Sequence, residues 1–257
     1  MITSFKGGVG KSTVTANLAM ALAMNGKRVL ALDCDFNMRC LDLITGLESK
    51  VVYDVCDVCR GTVELSRAVL TDERSENFFF LSAPYSTDVE KSVEEAKNLR
   101  EVLDAAKKEY SLDYILLDTP GDVTPLMPIV TSCADRAIIV ASHAPASIRA
   151  AEKTSSALAE LGMNDMKLII NNFDVEAVKK KKRPGIIEII DRTYIQLIGV
   201  VPYSKRLGEM QESGSLIDSV KGTNVYCAFD NTAKRIIGHS VPLFSGFSSG
   251  FNAVKLK

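Results

Sequence analysis

The sequence has no apolar run long enough to cross a bilayer, so no membrane-spanning helix is expected. It also has no basic-then-apolar leader; Met1-Ile2-Thr3-Ser4 already reads as a core strand. An excess of one charge is missing too. With 31 Lys and Arg against 32 Asp and Glu, the formal net charge is -1. The surface as a whole therefore offers no field for non-specific nucleic-acid binding, and nucleic acid is not an expected partner. There are only two histidines, His143 and His239; they are isolated and carry no assigned role. No internal repeat or disordered linker interrupts the chain. Six cysteines in a leaderless chain read as reduced thiols of a cytoplasmic protein rather than a disulfide framework. What remains is 257 residues, 46% hydrophobic, a size that buries about 70–75% of its unfolded surface in one or two domains.

A strand-then-helix alternation recurs along the chain. Apolar runs at 1–4, 27–33, 78–81, 114–118, 136–140, 168–171 and 197–201 suit parallel strands covered on both faces. Helical stretches at 12–25, 89–108, 146–160 and 222–237 separate them. The expected fold is α/β: a doubly wound, mostly parallel sheet with helices on both faces, occupying 1–242, with a tail at 243–257. Function in such sheets gathers at the carboxyl ends of the strands.

Residues 6–13 read Lys-Gly-Gly-Val-Gly-Lys-Ser-Thr, a phosphate cradle with two lysines. Gly10-Lys11-Ser12 fits the phosphate-loop pattern, in which glycines let backbone N–H groups converge on phosphate oxygens. The position five before Gly10 is Phe5 instead of glycine, and Lys6 is extra. Gly7, Gly8, Val9, Gly10, Lys11, Ser12 and Thr13 are therefore the candidate phosphate-binding residues, for ATP with Mg2+. Two strand ends add carboxylates: Asp33-Cys34-Asp35 and Asp118-Thr119-Pro120-Gly121. In phosphate-loop enzymes the loop hydroxyl, here Ser12, ligates magnesium, and a strand-end carboxylate, here Asp118, holds its water shell. Asp35 is then free to position the attacking water, an orienting role more than a basic one.

These motifs resemble the ParA/MinD family of deviant-Walker ATPases. The likeness rests on 6–13 and on the stretches at 33–61, 118–123, 144–153 and 199–207, and it covers nearly the whole chain. Residues 33–61 point to the branch that places the division septum. The resemblance implies that Lys6 crosses to the phosphates of a partner subunit in an ATP-bound homodimer. A second cation arriving from another chain would complete the charge balance only in the dimer, as an arginine finger does. By the same likeness Asp33 and Asp35 are the switch I aspartates, with Asp33 in the metal set beside Ser12 and Asp118. Asp118 opens switch II, and Asn171 and Pro202 border the adenine. The implied activity is slow, partner-stimulated, magnesium-dependent ATP hydrolysis. The implied partners are a protein of the MinC or MinE kind and an anionic membrane surface, with the chain peripheral at its inner face.

The pattern also departs from that branch. Switch II reads Asp-Thr-Pro-Gly-Asp where the branch has Asp-x-Pro-Ala-Gly, and Ala150 stands at an acidic position. Family members carry several more residues in the first strand, so Met1 is expected to be a late or truncated start. In the tail, Phe244, Phe247 and Phe251 are spaced to line one helical face, while Gly246, Gly250 and the serines oppose helix. An interfacial anchor and a loosely packed tail both stay open. Cys56-x-x-Cys59 on a helix reads as buried thiols before a metal or redox site. The five cations Lys179 to Arg183 read as a solvated loop before a lipid or nucleic-acid contact. The alternatives to septum placement are a partition or flagellar-placement ATPase and a metallocentre-maturation ATPase.

Overall fold

A computed structural model describes residues 1–85, 88–248 and 251. Among these residues eight strands form one sheet: β1 (Ile2–Thr3), β2 (Val29–Asp33), β3 (Leu70–Thr71), β4 (Phe78–Leu81), β5 (Tyr114–Asp118), β6 (Ala137–Ser142), β7 (Met166–Phe173) and β8 (Gln196–Pro202). Their order is β3-β4-β2-β5-β1-β6-β7-β8, and every pairing is parallel except β3 with β4. All of β2 and β4 is buried, as continuous apolar runs require when helices cover both faces. The expected strands are present; β3 is an addition, a two-residue edge too short to show a period.

The helix Lys11–Met24 has a Thr- and Ala-rich sequence without a polar face, and all of it but Ser12 and Met24 is buried. A helix apolar all round belongs inside a protein. This one lies between the sheet and the helix Asn224–Ile237, with Asn25-Gly26 ending it at a glycine φ of 76°. The helix Leu99–Glu109 shows the opposite pattern: Leu99, Val102, Leu103 and Ala106 face inward at helical spacing. The single helix expected over 89–108 is broken by a 3-10 turn at Ala96–Asn98. There Ala96 is fully buried, and the Asn98 amide donates to the Cys59 carbonyl at 3.3 Å, pinning the turn to the helix Val55–Cys59. Amphipathic helices at Ile186–Thr193 and Lys205–Glu212 also form, outside the expected set.

Cys56 and Cys59 are buried thiols on their short helix, and burial raises both, Cys59 to about 11. Among the described residues, no group of three or more His, Cys, Asp or Glu side chains is placed to hold a metal ion. None of the helices is long and apolar enough to cross a membrane, again among the described residues. All five cations from Lys179 to Arg183 are exposed.

The tail folds back. Asn231 donates to the Ser245 carbonyl at 2.7 Å, and Asn224 both donates to the Ser248 hydroxyl and accepts from its N–H. Residues 243–246 form a turn, with Gly246 at φ 76°, so Phe244 and Phe247 do not share a helix. They gather instead: the Phe244, Phe247 and Phe251 rings lie 4.9–5.4 Å apart, and Phe251 is 6.4 Å from Phe173 at the end of β7. Gly250, Lys255 and Lys257 lie outside the described residues.

Candidate functional site

The loop from Lys6 to Gly10 joins β1 to the buried helix. Gly8 and Gly10 adopt φ 73° and 88°, a backbone that side chains with a Cβ rarely tolerate. Gly10 is fixed twice over, because a Cβ there would lie 2.4 Å from the Asn171 amide nitrogen. No side chain caps the helix at Gly10. Its first-turn N–H groups thus point into the loop as anion donors, with the positive end of the helix dipole behind them. Just ahead, the Phe5 N–H donates to Thr154 Oγ1 at 3.0 Å, which anchors the backbone from which half-exposed Lys6 projects.

Lys11 is 7% exposed. Burial depresses its pKa, while Asp118, Asp35 and Asp122, in that order, hold it up. A largely buried cation at the start of a helix, beside a glycine loop, fits a site that receives a polyanion. Asp118, fully buried at the end of β5, accepts from the Thr15 hydroxyl at 2.8 Å. Its second oxygen is buried with no hydrogen-bond partner among the described residues. Burial pushes this carboxyl up to about 6 against the pull of Ser12, Thr15 and Lys11. Asp33 is also buried and is raised by burial first and by Asp118 next. Two desolvated carboxylates at adjacent strand ends, one oxygen orphaned, beside the Ser12 hydroxyl form an all-oxygen donor set. Such a set suits a hard divalent cation, so magnesium fits these residues.

The remaining candidates take distinct places. Asp33 spends one oxygen on the Asp35 N–H (2.8 Å) and the other on the Leu41 N–H (2.9 Å), so it also shapes the loop after β2. Asp35 Oδ1 accepts from the Asn37 and Met38 N–H groups at 3.2 and 3.1 Å, and its charge reaches both Lys11 and Asp118. Asn171 lies against the phosphate loop: its Nδ2 donates to the Val9 carbonyl at 2.8 Å, and its Oδ1 is buried without a partner among the described residues. Pro202, at the end of β8, lines a cavity of about 330 Å³ with Phe173, Tyr203, Asn224 and Phe251. Val9 is buried and Thr13 accepts from the Gln211 amide.

Two features escaped the sequence reading. Thr15 follows Lys11 by one helical turn, and that spacing could have marked it as Asp118's partner. The approach of Gly121 to the loop had no sequence signal. A Cβ there would lie 3.0 Å from Gly7 Cα and 3.3 Å from Lys11 Nζ.

Residues 1–217 match the CobQ/CobB/MinD/ParA nucleotide binding domain. The putative septum site-determining protein MinD of Emiliania huxleyi is 36% identical over 100% of this chain and 93% of its own length. The Helicobacter pylori MinD is 34% identical over 99% and 96%. Among solved structures, MinD in the MinC:MinD complex of Aquifex aeolicus superposes with a TM-score of 0.85 at 34% identity, covering 94% of this chain and 96% of that one. MinD from Pyrococcus horikoshii, complexed with Mg-ADP, gives 0.80 at 26% over 92% and 94%. A Borrelia burgdorferi putative plasmid partition protein aligns at 18% identity and shares the fold alone. The doubly wound sheet, the two-lysine loop and these full-length relatives together place the chain in the ParA/MinD family of magnesium-dependent nucleotide-binding ATPases, on its MinD branch.

Proposed function

We propose that this MinD-branch ATPase acts in septum placement as a dimerising timer, with two copies joined across bound ATP and released by hydrolysis. The observation that carries this reading is the pair of unlike lysines: Lys11 buried among carboxylates, Lys6 half-exposed at the mouth of the same loop. The Gly7–Gly10 backbone, Lys11, Ser12 and Thr13 receive the phosphates. Ser12 and Asp118, backed by Asp33, would hold the magnesium, which when bound offsets triphosphate charge. Asp35 orients water toward the terminal phosphorus, and the bond to the leaving ADP oxygen breaks as the water oxygen joins it. Lys6 supplies the partner's missing positive charge. Asn171, with an orphaned amide oxygen, and Pro202, beside the cavity, border the base.

Lys6→Ala leaves a folded monomer that binds ATP but does not dimerise. Losing a charge pair at a desolvated interface costs about 2–5 kcal/mol, roughly thirtyfold or more in dimer affinity. Sedimentation velocity with ATP reads this directly; a variant that sediments as the wild-type dimer refutes the cross-subunit role.

The partner in septum placement is a protein of the MinC or MinE kind, as the MinC:MinD complex of the Aquifex relative suggests. An anionic membrane surface is the second contact, made by the tail once its phenylalanines leave the cluster they form on the body of the protein, and supported by the exposed cations Lys179 to Arg183. Co-sedimentation with anionic liposomes is expected with ATP, reduced with ADP, and abolished when 243–257 are deleted. Full binding by the truncated chain would remove the tail from this role.

A further inference from the structure

Thr154, Thr193 and Thr232 each spend their hydroxyl proton on the helix carbonyl four residues back, at 2.7–2.9 Å. Thr13, in the first turn of the helix Lys11–Met24, does not. The carbonyl four residues before it, that of Val9, is taken by the Asn171 amide at 2.8 Å. Among the described residues, the Thr13 hydroxyl makes no hydrogen bond but the one it accepts from the Gln211 side-chain amide. A hydroxyl has one proton to give and two lone pairs to fill. Once a lone pair is filled by Gln211, the proton is left for another acceptor. The hydroxyl also lies against the phosphate loop, where a Cβ on Gly10 would be 3.5 Å from Thr13 Oγ1.

Gln211 sits one turn after Leu207 and beside Met210, the two buried residues of the helix Lys205–Glu212. A half-buried amide on that inward face needs a polar partner, and Thr13 is the one it meets. The chain that follows is fixed to the same phosphate-loop helix. The Ile217 N–H donates to Asn17 Oδ1 at 3.0 Å, and Asn17 Nδ2 donates to the Thr13 carbonyl at 2.8 Å. Gly214 is pressed so closely on Gly46 that a Cβ there would lie 2.6 Å from its Cα, and the Gly214 carbonyl accepts from Arg74 at 2.9 Å. Gln211 is thus held against Thr13 before nucleotide arrives. We propose that Gln211 is a positioning residue for nucleotide binding: its amide donates to Thr13 Oγ1 and so turns the Thr13 proton toward the phosphates. The inference rests on the proposed reading that Thr13 receives phosphate. A preset O–H makes its charge-assisted bond without losing rotamer freedom at the moment of capture. The loop cradles the α- and β-phosphates, which ATP and ADP share, so both nucleotides should depend on Gln211 alike.

The test is a double-mutant cycle on the full chain, read by titration calorimetry with Mg-ADP and Mg-ATP. Gln211→Met keeps the length and packing but cannot donate, and should weaken both nucleotides about fivefold. Gln211→Glu should weaken them about thirtyfold, because its carboxylate takes up the Thr13 proton and sets a negative charge beside the phosphates. Thr13→Val should cost about tenfold. In that background Gln211→Met should cost less than about twofold more, since the hydroxyl it would aim is gone. Thr13→Ser, which keeps the hydroxyl, should retain the full dependence on Gln211. A loss from Gln211→Met that is the same with and without the Thr13 hydroxyl, or no loss at all, would overturn the positioning role. If Thr13→Val binds both nucleotides as tightly as the wild type, the phosphate seat at Thr13 fails instead, so the two failures are told apart.

Discussion

Lys11→Ala binds neither ATP nor ADP at concentrations that saturate the wild type, and its affinity falls at least a hundredfold. Lys11 is the cation that burial places at the mouth of the helix Lys11–Met24, with Asp118, Asp35 and Asp122 around it. Removing it loses a charge-assisted contact to phosphate and also leaves those carboxylates unopposed, so an incoming polyanion meets net repulsion. The fold itself should survive. A lysine whose folded pKa is depressed is destabilising in its charged form, so its loss costs the nucleotide-free protein little. The melting curve separates the two effects. Ligand at a hundred times its dissociation constant adds about 2.7 kcal/mol, a shift of a few degrees in the wild type and none in the variant. A normal nucleotide-induced shift in Lys11→Ala would move the phosphate seat elsewhere.

Asp35→Ala gives the second large effect, on turnover instead of binding. ATP affinity stays within a fewfold of wild type, hydrolysis under stimulating conditions falls by about 10² to 10³, and the ATP dimer persists. Alanine also frees the two N–H groups that Asp35 Oδ1 holds, so slackening of the loop could imitate a chemical defect. Asp35→Asn resolves this. Its side-chain oxygen keeps the turn at Asn37 and Met38 while losing the charge that draws water. Both variants should be slow, and their dimers should outlast the wild type's in sedimentation with ATP. If Asp35→Asn hydrolyses ATP at the wild-type rate, the carboxylate does not position the nucleophile.

Much of this was legible in the residues because the physics was local. Strands such as Val29–Asp33 and Phe78–Leu81 read as buried since both faces are apolar. The phosphate loop announced itself through glycines whose backbone angles only they adopt readily. What stayed hidden depended on partners distant in sequence. The break at Ala96–Asn98 follows from a bond to Cys59, 39 positions away. Thr15 meets Asp118 across 103 residues, and Gly121 meets Gly7 through the meeting of two loops. The tail shows the limit of spacing arguments: its phenylalanines do meet, but through turns around Gly246 and on the body of the protein.

The bond from Asn171 to the Val9 carbonyl has a kinetic consequence. It braces the phosphate loop before any nucleotide arrives, with Gly10 seated against the same amide. The conformational entropy that a slack glycine loop would surrender at each encounter is therefore already lost on folding. Nucleotide capture should then be limited by encounter and not by ordering of the cradle. Hydrogen exchange, compared with and without nucleotide, should change most in 35–40 and 121–125 and least at Val9 and Gly10. In this protein the cradle stands ready, and the loops around it keep the time.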